Sequence, residues 1–208
     1  MNYIDRYLED AVKIIGALDR HKIQRLVEML VDLKEREGRL FILGVGGSAG
    51  NASHAVNDFR KIVGIEAYTP TDNVSELTAR TNDDGWDTVF TNWLRVSRLT
   101  PKDLIMIFSV GGGDLERNVS PNLVRAVDYA REIGTAVCGV VGRDGGYTAK
   151  MADVCIVIPP VNPDSVTPHT EAFQAVIWHL LVSEPALMAS SMKWESLSSS
   201  SKEGVKGS

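Results

Sequence analysis

The sequence predicts an α/β fold in which a five-stranded parallel sheet is covered by helices on both faces. Three features carry this. Short apolar runs alternate with helical patterns, each run closes on a glycine or turn signal, and the most apolar runs lack the polar alternation of a half-exposed strand. Taken in order, the first 36 residues place Ile4, Leu8, Val12 and Ile15, then Ile23, Leu26, Val27, Leu30 and Leu33, at helical spacing, with an interruption from Gly16 to His21. That pattern predicts two helices ahead of the first strand. The strands follow at Leu40 to Val45, Ile65 to Tyr68, Leu104 to Val110, Ala136 to Val141 and Val154 to Ile158. Leu104 to Phe108 and Val154 to Ile158 are apolar throughout, as strands buried on both faces are. A last helix is expected from about Thr170 to Val182, where Glu184-Pro185 ends or redirects the chain.

At 208 residues, 44% hydrophobic and 24% charged, the chain fits one domain with a substantial core, assigned to residues 1–192, while the serine, glycine and lysine of 193–208 read as a flexible tail. A net charge of −5 supplies no broad basic surface, which argues against a nucleic-acid partner. Small anions stay open, because backbone N–H groups at a helix N-terminus hold them without net positive charge. The two cysteines, Cys138 and Cys155, each lie inside an apolar run and read as core thiols, not as a disulfide or a metal cage. No apolar run approaches the roughly 18 residues of a membrane span, and no secretory leader is apparent, so the expectation is a cytoplasmic protein without a membrane partner.

Between the first strand and the next helix stands Gly44-Val45-Gly46-Gly47-Ser48-Ala49. Its amides and the Ser48 hydroxyl suit an oxyanion on the helix dipole. The same residues fit a loose dinucleotide fingerprint, with Glu66 roughly where a ribose-binding acid belongs, or a plain tight turn. A second stretch argues against the dinucleotide. The third strand runs into Ser109-Val110-Gly111-Gly112-Gly113, and after a polar insertion Ser120 and Pro121 open another helix as N-cap and first residue. Two serine- and glycine-rich strand ends at the carboxyl edge of such a sheet suit a phosphorylated polyol, although Ser120 taken alone reads equally as a helix cap.

His54 and Asp58 share a helix face at i, i+4, and Glu171 and His179 lie eight apart on the last helix. Imidazoles and carboxylates suit zinc or another divalent first-row ion, but eight residues rise about 12 Å, so one shared ion requires both late side chains to lean toward it. His21 and His169 read as structural, and Trp86, Trp93 and Trp178 as core or subunit-contact residues.

The strand-GVGGSAGNASH segment, the Asn82-Asp83-x-Gly85 stretch, the loop after the third strand and the Glu171 to His179 helix resemble the sugar isomerase (SIS) domain of phosphoheptose isomerases, over nearly the whole chain. The resemblance implies a flavodoxin-like three-layer α/β/α sandwich, a homotetramer with active sites at subunit contacts, and conversion of sedoheptulose 7-phosphate into D-glycero-D-manno-heptose 7-phosphate. It also implies zinc held by a His, Glu, Gln, His set that falls on His54, Asp58, Glu171 and His179. Two of those four are changed: Asp58 is one methylene shorter than the family's Glu, and Glu171 replaces a neutral amide. Val45 stands for an asparagine, Ser109-Val-Gly111-Gly112 for a Ser-Thr-Ser-Gly loop, and Gly113 to Asn118 lengthens that loop.

An aldose–ketose isomerase moves a proton between adjacent carbons through an enediol, which requires acid/base groups and a stabilised carbonyl oxygen. Asp58 is expected as base and His179 as its partner. Gly46, Gly47, Ser48, Ser109, Gly111, Ser120 and Glu171 are expected to hold the substrate, with Asn82 and Asp83 orienting it. The competing expectations are a non-catalytic SIS regulator or replication-initiator adaptor, which needs no acid/base pair, and an NAD-dependent oxidoreductase resting only on the first turn and Glu66.

Overall fold

The structure is a computed structural model that describes residues 1–190; the expected tail from 193 onward lies outside the described residues. The chain opens with α1 (Tyr3–Ala17) and α2 (Arg20–Glu35). The Asn2 side chain accepts from the Asp5 N–H, and Asp19 accepts from the His21 and Lys22 N–H groups, so the expected break falls where Asp19 caps the second helix. Strand β1 (Leu40–Gly44) leads into α3 (Gly47–Asp58), which widens without a break into a π-helical turn at Phe59–Val63. Then come β2 (Ala67–Tyr68), α4 (Val74–Asp83), α5 (Val89–Val96), β3 (Leu104–Ser109), α6 (Pro121–Ile133), β4 (Ala136–Val141), α7 (Gly146–Met151), β5 (Val154–Val157) and α8 (Val166–Val182). Helix α8 starts four residues before the expected Thr170, since Pro168 sits in its first turn, where a missing N–H costs nothing.

All strand pairs are parallel, in the order β2-β1-β3-β4-β5. This is the flavodoxin-like order, with its reversal point between β1 and β3. Leu40, Ile42, Met106, Phe108, Cys138 and Val140 face one core with α2, α3 and α8, whereas Phe41, Leu43, Ile105, Ile107, Val137 and Val141 face a second core with α5 and α6. Strict alternation of side chains across a fully covered sheet produces this division, and it makes three layers. Both cysteines are buried, on opposite faces, and burial pushes their thiols up, Cys155 to about 11.

The amino edge of the sheet is fastened by Asp103, 2% exposed, which receives the Arg39 guanidinium through both oxygens at 3.1 and 2.8 Å and also the Arg39 and Thr100 N–H groups. Burial opposes its ionisation, but these donors outweigh burial and hold the carboxyl below its ordinary value. Helix α1 buries Ile14 yet leaves Ile4, Leu8, Val12 and Ile15 more than half exposed, an apolar stripe with nothing over it among the described residues. Among the described residues no helix is long and apolar enough to cross a membrane.

Candidate active site

Gly46 caps α3 with a φ of 64°, and the Ala49 and Gly50 N–H groups donate back to its carbonyl. The leading N–H groups of the helix are left for an anion, as expected of a strand-to-helix turn. Beside them Ser48 is 1% exposed, with a hydroxyl that has no partner among the described residues. Glu171 reaches across from α8 so closely that a Cβ on Gly47 would stand 2.5 Å from its carboxylate. Only a glycine lets that acid lie against the helix start.

The second expected cradle is built differently. Ser109 is buried and its Oγ accepts from the Gly112 N–H at 3.0 Å. The Gly112 carbonyl takes the Thr148 N–H and hydroxyl, and the Gly113 carbonyl takes the Tyr147 N–H. This loop is therefore a seam against the start of α7, and its glycines allow the close approach: a Cβ on Gly146 would lie 2.1 Å from the Gly111 carbonyl oxygen. Ser120 does occupy the cap position of α6, but its backbone is left-handed and its side chain makes no cap bond. That part of the expectation is corrected, because a left-handed residue directs its side chain away from the first helical N–H groups. Gly111 and Ser120 remain half-buried on the loop. The insertion closes on itself through paired Asp114 and Val119 backbones and a turn in which Asp114 accepts from Glu116 and Arg117. Asn82 and Asp83 are exposed in the last turn of α4 and bond to each other at 2.7 Å.

Helices α3 and α8 run side by side in the same direction. Asn51 Nδ2 donates to the Glu171 carbonyl at 2.9 Å and to Gln174 Oε1 at 2.8 Å, and fully buried Gln174 reaches the Val140 carbonyl. This clamp sets the register, so that the ends of both helices meet. There the ligand atoms of His54, Asp58 and His179 lie within 4.8 Å of one another. Asp58 Oδ2 is 3.5 Å from His54 Nε2 and 3.6 Å from His179 Nε2, and accepts from Trp178 Nε1 at 3.1 Å; Oδ1 accepts from Asn57 Nδ2 at 3.0 Å. The Asp58 side chain is 10% exposed, and the two imidazoles 57% and 50%, so a buried acid faces an open mouth. His179 Nδ1 stands 2.8 Å from the Ala175 carbonyl, which takes its proton and leaves Nε2 as the acceptor facing Asp58.

Two imidazole nitrogens and one carboxylate oxygen make a suitable donor set for zinc, and tetrahedral ligands of zinc are about 3.4 Å apart, close to the 3.5 and 3.6 Å from Asp58 Oδ2 to the two imidazoles. The residues fit such an ion with three ligands. Glu171, expected as the fourth, is not brought into this set; its carboxylate lies at the start of α3, against Gly47. Eight residues of helical rise, about 12 Å, separate the two positions, and the clamp fixes the rise in place. His169 is buried as a structural histidine, stacked on Tyr7, whereas Trp178, expected as a core or subunit-contact residue, is core in its ring and a hydrogen-bond donor to the site at its nitrogen. Sequence reasoning missed Asn51, Asn57, Gln174 and this second role of Trp178. Only the segment Gly44 to Asp58, which carries Asn51 and Asn57, held a signal for any of them.

The SIS domain family matches residues 3–142. The chain is 32% identical over 178 residues to the phosphoheptose isomerase of Geotalea daltonii, covering 83% of this chain and 87% of that one. It is 30% identical over 191 residues to the lincomycin biosynthesis protein LmbN of Streptomyces lincolnensis, covering 87% and 68%. The solved phosphoheptose isomerase GmhA of Neisseria gonorrhoeae shares the fold with a TM-score of 0.73 at 24% identity, covering 86% of this chain and 94% of that one. With the parallel sheet and the His54, Asp58 and His179 cluster of α3 and α8 in place, the chain belongs to the phosphoheptose isomerase family of SIS-domain proteins.

Proposed function

We propose that this isomerase interconverts sedoheptulose 7-phosphate and D-glycero-D-manno-heptose 7-phosphate through an enediol, with Asp58 and His179 as its acid/base pair. The family supports an isomerase of a phosphorylated sugar. The seven-carbon substrate and the residue roles are the proposal, and the observation that carries it is the convergence of His54, Asp58 and His179. A non-catalytic binding protein needs no acid/base pair, so a buried carboxylate between two imidazoles favours the enzyme. Asp58 takes the carbon-bound proton and returns it at the neighbouring carbon, while His179, its Nδ1–H donated to the Ala175 carbonyl, exchanges a proton with the substrate oxygen at Nε2 whenever no ion holds that nitrogen. His54, Asp58 and His179 would hold a divalent ion, for which Zn2+ is the simplest choice; it would polarise the carbonyl and hydroxyl together, and with His179 Nε2 engaged it would leave the proton transfer to Asp58 through the carboxylate oxygen that the ion does not hold.

The substrate lies along α3 and α8, between Gly47 and the His54, Asp58 and His179 cluster. Gly46, Gly47 and the partnerless Ser48 hydroxyl meet its oxygens, Glu171 meets hydroxyls, and Ser109, Gly111, Ser120, Asn82 and Asp83 line its approach. The helical rise of about 12 Å from Glu171 to His179 suits an extended seven-carbon polyol phosphate better than a three-carbon one. The open mouth and the bare α1 stripe support a homotetramer whose neighbouring copy completes each site. The buried free thiols support a cytoplasmic setting. The test is to incubate zinc-loaded protein with sedoheptulose 7-phosphate and follow aldose anomeric signals by NMR. Their appearance is expected; their absence, with turnover of a shorter ketose phosphate instead, would overturn the seven-carbon assignment.

A further inference from the structure

We propose that Trp178 is a positioning residue for this reaction, its indole N–H fixing the Asp58 carboxylate so that Oδ2 faces both imidazoles. The inference rests on the reading of Asp58 as the base. An aspartate carboxylate turns freely about its terminal torsion, which has no sharp staggered wells. Here that turn is blocked from both sides, by Trp178 Nε1 on Oδ2 at 3.1 Å and Asn57 Nδ2 on Oδ1 at 3.0 Å. Indole nitrogen only donates, so the bond to Oδ2 has a single polarity, and with a charged acceptor it is of the stronger kind.

The ring itself cannot drift. Trp178 is 2% exposed, stacks on Phe108 with centroids 6.0 Å apart, and lies 5.4 Å from the His54 ring and 4.8 Å from the His179 ring. It therefore backs both imidazoles while holding the acid between them. Consecutive residues of α8 divide the work: Trp178 anchors Asp58 from the core side, and His179 faces it from the open side. Asp58 is also the last residue of α3 before the helix widens into its π-helical turn, a distortion common at functional sites. A shorter acid reaches less far than a glutamate, and the indole N–H is what meets it there.

Trp178→Phe keeps a ring in the pocket and removes the donor. In the zinc-loaded protein with sedoheptulose 7-phosphate, kcat is expected to fall about 10- to 100-fold with KM within about twofold, as loss of alignment alone produces. A second reading needs no turnover. The Trp178 indole resonance in a proton–nitrogen NMR spectrum, assigned in the wild type by through-space contacts to the Phe108 and His179 rings, is expected to move upfield and exchange faster with solvent in Asp58→Ala. Wild-type kcat in Trp178→Phe, or an indole resonance indifferent to Asp58→Ala, would overturn the tether. If the wild type turns over no sugar phosphate the functional reading fails by itself, and if Trp178→Phe does not fold, the indole comparison in Asp58→Ala still decides.

Discussion

At the scale of single residues, the chemistry depends on where one short acid is held. Asp58→Asn keeps an oxygen for the Trp178 N–H and nearly the same volume, so the fold is expected to survive while kcat drops by at least about 100-fold, the usual contribution of a positioned acid/base group. Steady-state assays beside circular dichroism check this; persistent activity would remove the assigned base. Glu171 makes the opposite case. Its charge lies at the start of α3, where a substrate anion would also sit, and like charges there repel. Glu171→Gln is therefore expected to lower KM about two- to fivefold, the size of a helix-terminus charge effect, with the metal content unchanged. Loss of the metal in that variant would return Glu171 to the ligand set.

At the scale of elements, two joints position the site from a distance. The loop after β3 fits against α7 only because Gly146 has no side chain: its φ is 52° and a Cβ would meet backbone oxygen at 2.1 Å. Neither atom belongs to a flexible side chain that can swing aside, so Gly146→Ala is expected to cost at least about 2–3 kcal/mol, measured by urea unfolding. The second joint is Arg39 with Asp103, which ties the starts of β1 and β3 together. Asp103→Ala leaves a largely covered guanidinium short of its partner and is expected to cost about 2–3 kcal/mol near neutral pH, less than a fully buried pair because Arg39 is a quarter exposed. The folded-state value of Asp103 lies below its unfolded value, so its stabilisation is present above the ordinary carboxylate range and is lost as pH falls through the lowered folded value. The gap between wild type and variant should therefore narrow in acid.

At the scale of the whole molecule, one copy leaves two surfaces unfinished. Ile4, Leu8, Val12 and Ile15 present an apolar stripe on α1, and Val176 and Leu180 are exposed on α8 beside His179. Leu8→Glu is expected to lower the mass seen by light scattering and to reduce activity, although Leu8 is in a different element from the acid/base pair; unchanged mass would remove α1 from the interface. Protein purified without chelator should carry about one divalent ion per chain by elemental analysis, and His54→Ala should lose it.

The periodicity of the chain was enough to determine the layers. Apolar runs such as Leu104 to Phe108 and Val154 to Ile158 have no polar face, so they read as strands covered on both sides, whether central like β3 or at the edge like β5, and the glycines after Leu43 read as a strand-to-helix turn. The sequence also determined that His54 and Asp58 share a helix face, because that is a local spacing. It could not decide what meets them, since contacts between α3 and α8 join residues about 120 positions apart and depend on the register set by Asn51 and Gln174. That register brought His179 and Trp178 to Asp58 and left Glu171 at Gly47. It could not decide either that the glycines after Ser109 serve a seam with α7, because a glycine states only that space is short, and the neighbour that makes it short comes from another part of the chain.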